Sequence, residues 1–291
     1  MTTNTATVDN DYLKGFTLVL LSAIGYGLQP LFTHVAYSDG ASPVGLLVLR
    51  FLAASSMMFV WLKLRGFEMP PLKHNLQYLL VGLGYSGAAL GYYSASHSTS
   101  VSLAVILMFS FPAFVVLFSI GVLKEKATPL KLVSVALAIG GVVVAVGLDI
   151  QGDSTGVLWA LFAALAYGSA ILYGTHKASP LYPAQSACMV LIGCFLGALV
   201  VSSIQPTHWP QTDAGWLSVV GLALFATIFP IATFIAGAPK IGASNASTIS
   251  TMEPVVAVAI ALLLIGEPLN TATLIGGGMV ILSVVLLSRS K

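Results

Sequence analysis

Long apolar runs, each about the length of a bilayer crossing and separated only by short polar or Pro/Gly punctuation, fill nearly the whole chain. Ten are legible, at 15–37, 43–64, 76–97, 101–122, 129–147, 155–177, 183–204, 214–239, 243–264 and 271–288. A helix spanning a hydrocarbon layer of ~30 Å needs roughly 20 apolar residues. Ten of them leave no loop long enough to fold as a domain of its own. Of the 291 residues, 57% are hydrophobic and only 8% are charged, and the mean hydropathy is +0.95. Soluble domains carry about 25% charged residues. So few charges cannot clothe a water-facing surface, which excludes a soluble enzyme or binding domain. The expected fold class is an all-α integral membrane protein of ten transmembrane helices.

The Lys and Arg residues predict an orientation. With the N-terminus in the cytoplasm, Lys14, Lys63, Arg65, Lys73, Lys124, Lys126, Lys131, Lys177, Lys240, Arg289 and Lys291 all fall on the cytoplasmic side. Arg50, the remaining basic residue, lies inside a span. The opposite loops carry Asp39, Asp149, Asp153, Asp213 and Glu267 instead. This is the positive-inside asymmetry, and it places both termini in the cytoplasm. Residues 1–14 are polar and lack the charged start, short apolar core and cleavage site of a signal peptide, so they read as a disordered cytoplasmic tail. A net charge of +2 offers no basic stripe for nucleic acid. The two cysteines, Cys188 and Cys194, form neither a disulfide framework nor a metal cluster. No cofactor and no metal are expected.

The chain also repeats itself. Tyr26-Gly27 in the first run matches Tyr167-Gly168 in the sixth, and Pro43 matches Pro183. At a shift of 142, Ser102, Ala104, Pro112, Val116 and Glu125 fall on Ser244, Ala246, Pro254, Val258 and Glu267. Residues 15–147 and 155–288 then form two five-helix repeats. Five is odd, so the repeats lie in the membrane in opposite orientations. Inverted repeats are the architecture of many secondary transporters, with substrate bound near the midplane between the halves.

Several local patterns resemble a known family. LVLRF around Arg50, MEPVVAV at 252–258, LLLIGEPLN at 262–270 and GVLKEKATP at 121–129 are similar to the drug/metabolite transporter superfamily in its EamA branch. The usual Gly-Glu pair of the last motif is here Lys124-Glu125. The resemblance covers essentially the whole chain, and within the branch it is nearest the YddG-type amino-acid exporters of bacterial inner membranes. It implies metabolite or drug export through a central cavity formed largely by helices 1, 3, 4, 6, 8 and 9.

Charges inside a bilayer are costly and mark functional sites or structural pairs. Arg50 in helix two and Glu253 in helix nine are the two candidates. They serve either as contacts for the charged ends of an amino acid or a coupling proton, or as a structural pair. Tyr85 and Tyr92 of helix three, with Tyr26 and Tyr167, need partners for their hydroxyls and so point to a cavity or to a neighbouring helix. Ser244, Thr248 and Thr251 share one helical face in the polar start of helix nine, and proximity to Glu253 favours the cavity for Thr248 and Thr251. Met108 reads as adaptable apolar lining or as ordinary core. Pro112, Pro230 and Pro254 each free a backbone carbonyl within a span and are possible hinges or static kinks.

The function these features support is secondary export of amino acids, aromatic or neutral such as Thr and Met, by alternating access across the inner membrane. A broad-specificity drug or metabolite exporter is the alternative. An intramembrane enzyme would require a catalytic grouping, yet HExxH, GxSxG and paired intramembrane Asp are all missing. No filter motif or charged ring suggests a channel, and no P-loop suggests ATP hydrolysis. The expected partners are a small amino-acid or related substrate and the lipid bilayer. Two fused halves suit a functional monomer.

Overall fold

Proline and capping hydroxyls set where the helices begin. A computed structural model describes residues 5–121, 127–146, 154–177, 182–241, 246, 249–268 and 270–289. The elements are α1 (Thr5–Gly27), α2 (Gln29–Ser38), α3 (Pro43–Leu64), α4 (Leu72–Ser98), α5 (Val101–Met108), α6 (Phe111–Gly121), α7 (Pro129–Val146), α8 (Ser154–Lys177), α9 (Pro183–Ser202), α10 (Asp213–Ala223), a π-helical turn (Leu224–Ile228), α11 (Phe229–Ile241), α12 (Met252–Ile260), a second π-helical turn (Ala261–Ile265) and α13 (Thr271–Ser288). Strands are absent among the described residues. Pro43 and Pro183 open α3 and α9, where the missing N–H has no helical partner to lose. Ser42, Ser100 and Thr212 accept bonds from the backbone N–H groups of Gly45, Leu103 and Gly215, capping α3, α5 and α10.

The polarity of the bundle is inside-out. Leu263, Leu217 and Leu158 are 75%, 70% and 67% exposed, whereas Arg50, Ser102, Thr227 and Ser283 are buried. A water-soluble fold would aggregate through such a surface; a bilayer solvates it. Among the described residues six helices are long and apolar enough to cross a membrane, and three shorter apolar helices accompany them, Pro129–Ala145, Met252–Ile265 and Thr271–Leu287. The 27-residue α4 lies outside both groups. It packs mainly against α8 and α9, with glycine, serine and tyrosine among its buried residues and Leu76, Leu80 and Leu83 left exposed.

Tight backbone approaches hold this interior. A Cβ on Gly82 of α4 would collide with Val190 O and Gly193 of α9, and one on Gly91 would lie 2.7 Å from Trp159 O of α8. Gly141 of α7 and Gly276 of α13 face one another in the same way. Small residues at such crossings replace the hydrophobic drive that helices lack in lipid.

Two expectations need correction. Residues 5–14 are helical, continuing α1 to Thr5, and Asp11 of this extension pairs with Lys240 at 3.4 Å. Nothing in TATVDNDYLK breaks a helix, so this part of the tail read as disordered from polarity alone prolongs the first helix; residues 1–4 lie outside the described residues. The spans expected as continuous helices are also interrupted. The first breaks at Leu28, the fourth at 109–110 and the ninth at Thr251, and the eighth passes through the π-helical turn. In every case a proline stands just after the interruption: Pro30, Pro112, Pro254 and Pro230. Lacking an N–H, each leaves the carbonyl four residues earlier without its helical partner.

Between the two halves of the chain runs a clasp. Glu267, following Gly266 in its left-handed conformation (φ 77°), accepts from the backbone N–H of Val101 (3.0 Å) and Ser102 (3.2 Å) at the start of α5. A carboxylate there satisfies two orphan donors and complements the helix dipole. Glu267→Ala is expected to cost about 1–2 kcal/mol of stability, and Glu267→Gln less, since it retains an acceptor. Thermal unfolding of the detergent-purified variants measures both.

Candidate functional site

Arg50 lies seven residues into α3 and is 5% exposed, deep enough that each N–H needs an acceptor. The protein supplies four. Nε donates to Thr227 Oγ1 at 2.7 Å, Nη1 to Gln29 Oε1 at 2.7 Å and to Tyr93 OH at 2.6 Å, and Nη2 to the Ala226 carbonyl at 3.1 Å. The guanidinium also lies 5.3 Å from the centre of the Phe51 ring and 5.7 Å from that of Tyr93. Ala226 is available because of Pro230, which cannot donate to the carbonyl four residues before it. Thr227 Oγ1 in turn donates to Leu222 O at 2.8 Å. One guanidinium therefore ties α3, the start of α2, α4 and the π-helical turn together.

Next to this network is a cavity of about 270 Å³. Its polar wall holds Tyr26, Gln29, Arg50, Tyr85, Tyr92, Tyr167, Cys194, Thr227 and Glu253, and its apolar wall includes Phe51, Met108, Val190 and Ile231. The rings of Tyr85 and Tyr167 lie 5.2 Å apart, and Phe111 stands edge-on to Tyr167 at 4.7 Å. A smaller recess beside it shares Tyr26, Gln29, Tyr92, Met108 and Glu253. Glu253, in the first turn of α12, forms no ion pair with Arg50 within 4 Å and no hydrogen bond among the described residues. Tyr26, Tyr92 and Tyr167 are within electrostatic range of its carboxylate. Among the described residues no cluster of three His, Cys, Asp or Glu could hold a metal.

The cavity brings together Tyr26, Arg50, Tyr85, Tyr92, Met108, Tyr167 and Glu253 from the sequence reading. It does not include Thr251, which is buried at the break before α12; the i, i+4, i+7 argument assumed an unbroken helix, and the interruption ends that periodicity. Thr248 and Ser244 lie outside the described residues. Pro112, Pro230 and Pro254 sit in the first turn of α6, α11 and α12 and do not line the cavity. Helices 2 and 7 of the sequence reading contribute as well, through Arg50 and Phe51 of α3 and Ala187, Val190, Leu191 and Cys194 of α9. Gln29, Tyr93 and Thr227 were missed. A lone amide beside Pro30 and a lone threonine ahead of Pro230 were the available signals. Tyr93 stands directly after Tyr92, the residue that the sequence reading took instead.

Outside the spans, Asp39 takes the backbone N–H of Thr212 (2.8 Å) and Gln211 (2.7 Å) on the same oxygen. These bonds, that from Thr212 foremost, hold its carboxyl below the usual aspartate range. Ser42 Oγ accepts from His208 N nearby at 3.0 Å, so the α2–α3 and α9–α10 connections are joined.

Similarities to known proteins extend over the whole chain. Residues 13–147 and 154–289 each match the EamA-like transporter family. The chain is 26% identical over 254 residues to the uncharacterized inner membrane transporter YedA of Escherichia coli K12, covering 86% of this chain and 82% of that one. It is also 26% identical to the threonine/homoserine exporter RhtA of the same strain, covering 72% of this chain and 70% of that one. A crystal structure at 20% identity superposes with a TM-score of 0.62 over 96% of both chains, a likeness of fold. The apolar helices make this a multi-pass protein of the inner membrane. With the family pattern present twice and spanning nearly all residues, the chain belongs to the EamA-like transporter family.

Proposed function

We propose that this protein is a secondary exporter of amino acids, aromatic or neutral, working by alternating access between two inverted five-helix repeats. Ten spans with both termini in the cytoplasm complete the reading, and the charge asymmetry of the loops supports it. The observation that carries it is the cavity itself: a tyrosine-rich chamber with two charged side chains and an apolar wall, lined from both family repeats, in a bundle whose outer surface is hydrocarbon-like. A secondary transporter binds its substrate at such a junction.

One contact made twice favours the repeat relation. Gly27 of the Tyr26-Gly27 pair lies against Val256 and the Glu253 carbonyl, in the helix of Pro254. Gly168 of the Tyr167-Gly168 pair lies against Val115 and the Phe111 carbonyl, in the helix of Pro112. Each half thus lends its Tyr-Gly pair to the proline helix of the other. Pro112 and Pro254 act in this reading as hinges at equivalent breaks, with Pro230 bending the eighth span.

The relative named as a threonine/homoserine exporter supports the substrate class. A broad-specificity exporter is the second reading, favoured by the adaptable apolar wall of Met108, Phe51 and Ile231. Purified protein in liposomes, challenged with labelled Thr, Met and Phe with and without an imposed pH gradient, is expected to move at least one of them. Movement of a hydrophobic drug, with every amino acid retained, would replace the first reading by the second.

A further inference from the structure

We infer that the central cavity grips its ligand by a positively charged nitrogen, with Glu253 as the receiving carboxylate, while Arg50 is an internal brace. This deepens the amino-acid reading and rests on it.

The cavity holds two charged side chains, and their states of engagement are opposite. Arg50 has four of its five N–H groups committed to Thr227, Gln29, Tyr93 and Ala226 O. The single donor left cannot form the paired bonds by which arginine grips a carboxylate. Glu253 has no hydrogen bond and no ion pair among the described residues, yet its helix places it on the cavity wall. A carboxylate in this position lacks a hydrogen-bond donor, and the one positive charge near it, Arg50, acts on it only through space, from beyond ion-pair distance. Tyr26, Tyr85, Tyr92 and Tyr167 surround the same space. Tyrosine rings present negative faces, which attract cations and repel anions. A ligand ammonium satisfies both the acid and the rings. A ligand carboxylate finds one guanidinium N–H and neutral tyrosine hydroxyls, and must approach an acid.

The asymmetry of the repeats supports this assignment. By the shift of 142, the residue equivalent to Glu253 is Phe111, whose ring stands edge-on to that of Tyr167. One half therefore supplies an aromatic ring behind Tyr167 of the wall where the other supplies a charge on the wall itself. An acid needed merely for folding would be expected to have an internal partner, as Glu267 has at Val101 and Ser102.

The test separates the two ends of the ligand. The full chain in nanodiscs is titrated with threonine, methionine and phenylalanine, with their amides, which keep only the ammonium, and with their N-acetyl derivatives, which keep only the carboxylate. The amides are expected to bind within about threefold of the parent amino acids. The N-acetyl forms are expected to bind about 10–100-fold more weakly, the loss of one charge-assisted bond. Glu253→Gln is expected to lose the amides by a similar factor, and Glu253→Asp to recover part of that loss. Far-ultraviolet dichroism and melting of each variant exclude misfolding as the cause. N-acetyl derivatives binding as well as amides, or Glu253→Gln binding amides unchanged, would overturn the inference while leaving amino-acid export standing. Binding of phenethylamine with no amino acid bound would do the reverse. Failure of every compound would remove both.

Discussion

Arg50→Ala is expected to lose about 3–5 kcal/mol of stability, because buried acceptors left without a donor cost roughly 1–3 kcal/mol each. The loss comes less from the guanidinium than from what it leaves behind. Ala226 O, already without a helical donor because of Pro230, loses its replacement, and Gln29, Tyr93 and Thr227 lose theirs. Arg50→Lys keeps the charge, yet a single ammonium cannot reach acceptors on α2, α4 and the π-helical turn at once. It is expected to fall between alanine and the native chain. Unfolding monitored in detergent gives the order native, Lys, Ala. Because Arg50 is read as a brace, the folded fraction of the Lys variant should bind the amino-acid amides within about threefold of the native value. A native melting point with ligand affinity destroyed would instead make Arg50 a binding residue.

The second large effect is steric. Gly82→Leu is expected to block assembly of α4 on α9, costing at least the roughly 1–3 kcal/mol typical of overpacking and more where backbone meets backbone. The obstacle at Gly82 is Val190 O and the Gly193 backbone, which cannot turn aside as a side chain does. Gly87 in the same helix provides the control. A Cβ there meets Ala166 and Phe162 at 3.6 Å and beyond, ordinary contact, so Gly87→Ala should be neutral or stabilising by about 1 kcal/mol through helix propensity. The yield of monodisperse protein on size exclusion separates the two. Equal yields would show that α4 and α9 are not packed this closely.

Much of this architecture is legible in the residues alone. Length and spacing of the apolar runs identify a multi-pass bundle, because no other use of such a chain hides its backbone polar groups from hydrocarbon. The matching Tyr-Gly and proline positions indicate two repeats, and the cost of a charge in lipid singles out Arg50 and Glu253 as needing an explanation. What those two charges do is decided only in three dimensions. The pairing that sequence allowed between them is not made. Arg50 finds its acceptors on residues 29, 93, 226 and 227, far apart along the chain, and one of them is a backbone carbonyl freed by Pro230. Glu253 is left facing the chamber. Periodicity describes which way a regular helix points its side chains. The site of this protein is built where helices break and where different helices meet, so its chemistry follows from packing.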